Sequence, residues 1–224
     1  MTSDPAGSTF EPRFIFNIGE MRRKSGDKEK RIADAAIRVF GRDGYHGAKI
    51  TRIAEEAGVA TGSVYLYFRN KQSILQYLFA KLWKELHVGF AYVAQQADLD
   101  PRTKVELIID GILDQFEKNP SLALLFVNEQ TQLLRDGTGE FMQYYVDFLQ
   151  LGERVVRDGI RKGVFRPDVD PRIFTNLVFG ATRQLLHQWA RAPRQFPLDT
   201  VRREIKAVFF GGLLIPLSST APRA

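Results

Sequence analysis

Residues 50–68 read ITRIAEEAGVATGSVYLYF, and how this stretch folds decides how the rest of the chain is read. Ile50, Ile53, Ala54 and Ala57 recur at helical spacing and predict a short amphipathic helix. Gly58 stops that helix, Val59 follows in the turn, and a second short helix is expected from about Thr61 to Phe68. Two short helices joined this way have helix-turn-helix spacing. In that arrangement the second helix enters the DNA major groove by its N-terminal end while the first crosses the backbone, so small and hydroxyl residues belong at that end. Thr61, Gly62 and Ser63 meet the requirement. Gly62 removes a side chain where the helix must approach base edges, and the two hydroxyls can bond to bases or phosphates. Val64 and Phe68, four apart, would face a small core, leaving Tyr65 and Tyr67 on the flank to reach phosphate and sugar. Lys71, opening the next helix, adds a charge where helix N-terminal amides also attract phosphate. The competing reading makes the two tyrosines rim aromatics of the core.

The charge distribution points the same way. Of 224 residues, 44% are hydrophobic and 26% charged, a globular balance. The formal net charge is +6, and the segment from Arg22 to Lys71, with twelve Lys and Arg against six Asp and Glu, supplies all of it. Such a confined excess is the footprint of a polyanion partner, or else a solvated basic face. The absence of cysteine excludes disulfides, thiolate zinc sites and a thiol nucleophile. His46, His87 and His187 show no metal-ligand spacing, so no metal is expected. Hydrolase and phosphate-loop motifs are missing, and Asp110, Asp114 and Glu117 on one helix face read as solvated carboxylates, so the chain is not expected to be an enzyme. The opening MTSDPAGSTFEPRFIFNIGE is no secretory signal, and the apolar run from Val208 to Leu217 is too short to span a bilayer and is broken by Gly211, Gly212 and Pro216. A soluble cytoplasmic protein without a membrane partner is the expectation.

The architecture expected is all-α. The first helix should end at Gly41–Gly44, and a long fourth helix should start near Lys71. Prolines and glycines then bound helix-length segments at 102–118, 121–135, 139–163, 171–191 and 198–214. The chain divides into a tail or arm at 1–24, a three-helix helix-turn-helix DNA-binding domain at 25–72, a helical ligand-binding and dimerisation domain at 73–217, and a tail at 218–224.

The stretch from Arg31 to Leu75, RIADAAIRVFGRDGYHGAKITRIAEEAGVATGSVYLYFRNKQSIL, resembles the TetR family of bacterial transcriptional regulators. The resemblance implies DNA contacts from Thr51 and Arg52 in the second helix, with Lys49 at its head, from Thr61, Gly62, Ser63, Tyr65 and Tyr67 in the third, and from Lys71. It departs from the family at Ala60, where Ser often caps the helix, and at Thr61, where Lys or Arg is frequent. GVATGSVYLYFRNKQSIL together with FGATRQLLHQW is similar to the branch that senses fatty acyl-CoA and represses fatty-acid degradation genes.

Aromatic residues crowd the later helices, as a core stripe or as the wall of a pocket. The candidate ligand residues are Phe116, Phe126, Gln130, Tyr144, Phe148, Arg157, Phe179, Arg183 and Trp189. Long-chain acyl-CoA is the leading effector, with Arg154, Arg157, Arg161 and Arg183 as the nearest basic residues for its phosphates. No cofactor is expected. The last two helices resemble those with which the family dimerises through a four-helix bundle. Leu177, Gly180, Ala181, Val208, Gly211 and Gly212 are the candidate interface, unless these glycines serve packing within one chain. The expected partners are a double-stranded, palindromic DNA operator, a second copy of the chain and a hydrophobic effector. The alternatives are a similar regulator of efflux or stress genes sensing another hydrophobic compound, and a DNA-binding protein without a small-molecule ligand.

Overall fold

The computed structural model describes residues 26–136 and 140–213. Both tails and the 137–139 linker lie outside them. The described residues form helices α1 (Gly26–Gly47), α2 (Ile50–Ala57), α3 (Thr61–Tyr65), α4 (Lys71–Gln95), α5 (Pro101–Glu117), α6 (Pro120–Asp136), α7 (Glu140–Arg161), α8 (Pro171–Arg191) and α9 (Leu198–Leu213), with no β-strand among them. None of these helices is long and apolar enough to cross a membrane.

Local chemistry sets the helix ends. Asp100 and Asp170 cap α5 and α8, each accepting from the next two amides past a proline at the first helical position. Asn70 caps α4 reciprocally: its side chain accepts from the Ser73 amide (2.8 Å), and its own amide donates to the Ser73 hydroxyl (3.1 Å). Two ends differ from expectation. Past non-helical Gly44 (φ 71°, ψ 156°), α1 resumes for a further turn to Gly47. And α3 stops at Tyr65, the chain continuing in a turn that brings the Phe68 amide to the Val64 carbonyl (2.9 Å) and still buries Phe68.

Helices α1 to α3 enclose a small core of Ile32, Ala36, Phe40, Ile53, Val64 and Phe68. Gly58 closes α2 at φ 64°, a conformation that favours glycine. There the Arg31 guanidinium donates to the Ala57 carbonyl at 2.7 Å, bracing the turn from α1. From this head α4 runs 25 residues, about 37 Å at 1.5 Å per residue, and packs along α7, where the same hydrophobic cluster continues. There Trp83 and Phe79 meet Phe126, with ring centroids 5.6 and 5.8 Å away.

Two contacts tie the layers together. The start of α6 lies so close to α1 that a Cβ on Gly41 would stand 2.5 Å from Ser121 Cβ. The carboxylates expected to be solvated instead hold the last helix: Arg202 bonds to Asp110 (2.9 Å) and Asp114 (2.6 Å), and Lys206 to Asp110 (2.7 Å). The acidic face of α5 is therefore the seat of α9, the basic partners coming from ninety residues downstream, beyond the reach of local pattern reading. Glu117 alone of the three stays exposed with no ion pair among the described residues.

Candidate DNA interface and ligand cavity

The surface of the head follows from helix geometry. With Val64 and Phe68 turned inward, Gly62 is exposed and open, with no atom near the position of an added Cβ. Thr61 and Ser63 are half-buried beside it. Ala60 offers no side-chain cap to α3, which leaves the amides at that end uncapped by a side chain. Tyr65 is 54% exposed and Leu66 83% exposed, whereas Tyr67 is half-buried against the core. A leucine held so far into solvent next to Tyr65 belongs to the same face, and the sequence reading passed over it. Thr51 and Arg52 are exposed on α2, Arg52 pairing with Glu55 at 2.7 Å.

The cations of the head fall into two groups. Arg38 pairs with Glu56 (2.9 Å) and Arg42 with Asp43 (2.8 Å). Hydrogen bonds from these arginines hold the Asp43 and Glu56 carboxyls below the usual carboxylate range. Lys71 is also engaged: its Nζ donates to the carbonyls of His46 (2.9 Å) and Ala48 (3.1 Å) and stands 4.8 Å from the Tyr45 ring centroid. It thus closes the end of α1 against α4. Lys49 and Arg69 are exposed and form no ion pair among the described residues. Arg69, between α3 and α4, is the basic residue the sequence reading left out of the candidate set.

The second region is a partly open apolar cavity lined by α4, α5, α7 and α8, with about 40 Å³ of free space in the protein as it stands. Phe90 supplies the α4 wall, Ile108 and Ile112 part of the α5 wall, Phe148 and Val155 part of the α7 wall, and Phe179 part of the α8 wall. Leu151 and Val155 also line a polar cleft next to it, so the two spaces adjoin. The cleft is edged by His87, Lys104, Arg154 and Asp158. Lys104 is only 6% exposed, yet among the described residues its one side-chain bond is to the Ala94 carbonyl at 2.8 Å, and no described carboxylate pairs with it. Nδ1 of His87 is buried without a partner. A buried ammonium with spare donors at the rim of an apolar cavity suits an anionic group joined to an apolar body.

Of the candidate ligand residues, Phe148 and Phe179 line this cavity, and the others do not. Phe116, Phe126 and Trp189 are fully packed core. Tyr144 lies against the His87 ring, 5.9 Å away. Arg157 points to Glu153 (3.0 Å) on the outer side of α7, and Arg161 to Asp158 (3.0 Å). Arg183 reaches across to α6, donating to the Val127 carbonyl at 2.6 Å, where the Gln130 side-chain oxygen is buried without a partner. Only Arg154 of the four arginines reaches the cleft. Lys104 was missed, although its spacing carried the signal: with Ile108 and Ile112 it forms an i, i+4, i+8 row, a lysine on an apolar stripe.

On the outside of α8 and α9, Leu177 and Val208 are 59% and 69% exposed, and Gly180, Gly211 and Gly212 have open space where a side chain would stand. Ala181 is half-buried beside them. Among the described residues nothing packs closely on these glycines.

Residues 32–78 match the family described as bacterial regulatory proteins, tetR family, and residues 91–212, over half of the chain, match the YsiA-like protein C-terminal region. The chain is similar to the fatty acid metabolism regulator protein of Bacillus subtilis (strain 168), with 26% identity over 193 residues that cover 83% of this chain and 95% of the relative. Its fold is similar to that of the fatty acid degradation regulator FadR from Bacillus halodurans (TM-score 0.73, 25% identity, 89% of this chain and 99% of the other). It is also similar to FadR from Bacillus subtilis, solved in complex with stearoyl-CoA (TM-score 0.72, 24% identity, 82% and 98%). Motif, fold and matched regions agree: the chain belongs to the TetR family of bacterial transcriptional regulators, DNA-binding proteins and not enzymes.

Proposed function

We propose that this chain is a repressor that grips a palindromic operator as a homodimer and lets go when a long-chain acyl-CoA enters the α4–α5–α7–α8 cavity. The observation that carries the reading is Lys104, buried without a carboxylate partner where an apolar cavity meets a polar cleft. The acyl chain would lie among Phe90, Ile108, Phe148 and Phe179, and the coenzyme phosphates would meet Lys104, Arg154 and His87. The similarity to regulators named for fatty-acid metabolism, one of them solved with stearoyl-CoA, supports the same ligand class.

On the DNA side, Gly62 and Ser63 would approach base edges, and Lys49, Arg69 and Tyr65 would contact the backbone. One short reading helix covers few base pairs, so specificity needs a second head at fixed spacing. The exposed Leu177 and Val208, with the open glycines of α8 and α9, support pairing through these helices. Release follows from α4, which carries Lys71 at the head and His87 and Phe90 at the effector. A ligand wedged beside Phe90 tilts α4 and changes the separation of the two heads.

Calorimetric titration with acyl-CoAs of increasing chain length tests the reading directly. Each added methylene buried in the cavity should tighten binding about fourfold, from about 0.8 kcal/mol, until the cavity is full. Free coenzyme should bind weakly. Binding independent of chain length would contradict it.

A further inference from the structure

We propose that the hydroxyl of Thr175 is the polar anchor for an oxygen atom on the buried part of the effector, inside the apolar cavity. This rests on the reading that an acyl thioester occupies the cavity. Thr175 is 8% exposed and lines the cavity, and its Oγ1 is buried without a hydrogen-bond partner. Every other described residue of the lining has an apolar side chain or none.

The local alternative is visible on the same helix. Thr182, fully buried two turns further along α8, donates to the Val178 carbonyl four residues back at 2.7 Å, the usual way a helical threonine satisfies its hydroxyl. Thr175 forgoes that bond. Its methyl is instead pressed on α7, where a Cβ on Gly152 would stand 2.8 Å from Thr175 Cγ2, so packing holds the rotamer. A valine would fill this space without the desolvation penalty of an unbonded hydroxyl. A threonine suits it when a hydrogen-bonding atom arrives there.

Depth within the cavity narrows the partner. Gly152 follows Leu151, and Leu151 with Val155 joins the cavity to the cleft of Lys104 and Arg154. With the coenzyme leaving through that cleft and a chain in the cavity, the oxygens that reach Thr175 are those at the head of the chain, the thioester carbonyl or an oxygen on the carbons that follow it. Either accepts a hydrogen bond from Oγ1. The pocket then distinguishes an oxygen-bearing chain from a bare hydrocarbon of equal length.

Binding of three matched CoA ligands to the wild type, Thr175→Val and Thr175→Ser tests this: a thioether lacking the carbonyl, the plain acyl thioester and the 3-hydroxyacyl thioester. Thr175→Val should lose about fivefold in affinity wherever an oxygen meets the hydroxyl, and nothing for the thioether, while Thr175→Ser keeps wild-type affinity. A loss for both thioesters identifies the carbonyl; a loss for the 3-hydroxyacyl ligand alone identifies the chain oxygen. An equal loss for all three, or none, overturns the proposal while leaving the effector reading intact. If the wild type binds none of the three, the effector reading falls instead.

Discussion

The head and the cavity sit at opposite ends of α4 and are built on opposite plans. In the head a few buried residues orient an outward surface: Val64 and Phe68 are core so that Gly62, Tyr65 and Leu66 can face solvent. In the cavity the working surface faces inward, is almost wholly apolar, and is assembled from four helices. A surface that meets DNA can be specified by neighbours along one short stretch, because helical periodicity sorts inner from outer. A cavity needs residues that become neighbours only after α4, α5, α7 and α8 have packed.

The two ends separate most clearly when one of them alone is damaged. Gly62→Leu puts a bulky chain on the reading surface in open space, so operator affinity should fall by more than about a hundredfold in gel-shift titrations. Thermal stability and acyl-CoA binding should stay at wild-type levels, since an exposed substitution shifts stability by only about 0.5 kcal/mol. Loss of effector binding in this variant would show that the two regions are not separable. The complementary change is Lys104→Met. Removing the buried ammonium should weaken acyl-CoA about tenfold to a hundredfold by calorimetry, yet change stability by no more than about 1 kcal/mol, because the lost bond to the Ala94 carbonyl is offset by relief of a buried charge with no carboxylate partner among the described residues. Operator affinity without effector should not move.

A third variant strikes the contact between the regions. Gly41→Ala forces a methyl against Ser121, prising α6 from α1 at a cost of about 1–3 kcal/mol in chemical denaturation. It should also blunt the effect of acyl-CoA on operator binding while leaving acyl-CoA affinity intact. The smallest effects separate two cations of the head. Arg69→Gln should lower the log–log salt slope of operator affinity by about 0.9, the signature of one lost phosphate contact. Lys71→Met should leave that slope alone and cost about 1 kcal/mol of stability, because Nζ is bonded to the His46 and Ala48 carbonyls. The reverse pattern would restore Lys71 as the phosphate contact.

What was legible in the sequence follows the same division. Helices α5 to α9 lie within a residue or two of the segments read from their prolines and glycines, because an Asp-Pro pair or a capping asparagine acts on its own neighbourhood. The core positions Ile53, Val64 and Phe68 came from spacing alone. Hydrogen-bond partners did not. Nothing near Lys71 announces that its ammonium closes α1 twenty-five residues back, nor does the Asp110–Asp114 face announce Arg202. The arginines chosen for the ligand mouth were plausible by charge, but Arg157 and Arg161 find carboxylates on their own helix, while Lys104, with no carboxylate to meet, is the one that turns inward.

The most direct test is operator affinity measured on the wild-type protein against acyl-CoAs of increasing chain length, with free fatty acid and free coenzyme as controls. Coupled ends of α4 predict release that deepens with chain length and reaches about a hundredfold, a coupling of about 2.7 kcal/mol. Neither control should reproduce it. Operator affinity that stays flat across the whole panel, while the same acyl-CoAs bind the protein, would contradict the claim that the cavity commands the head.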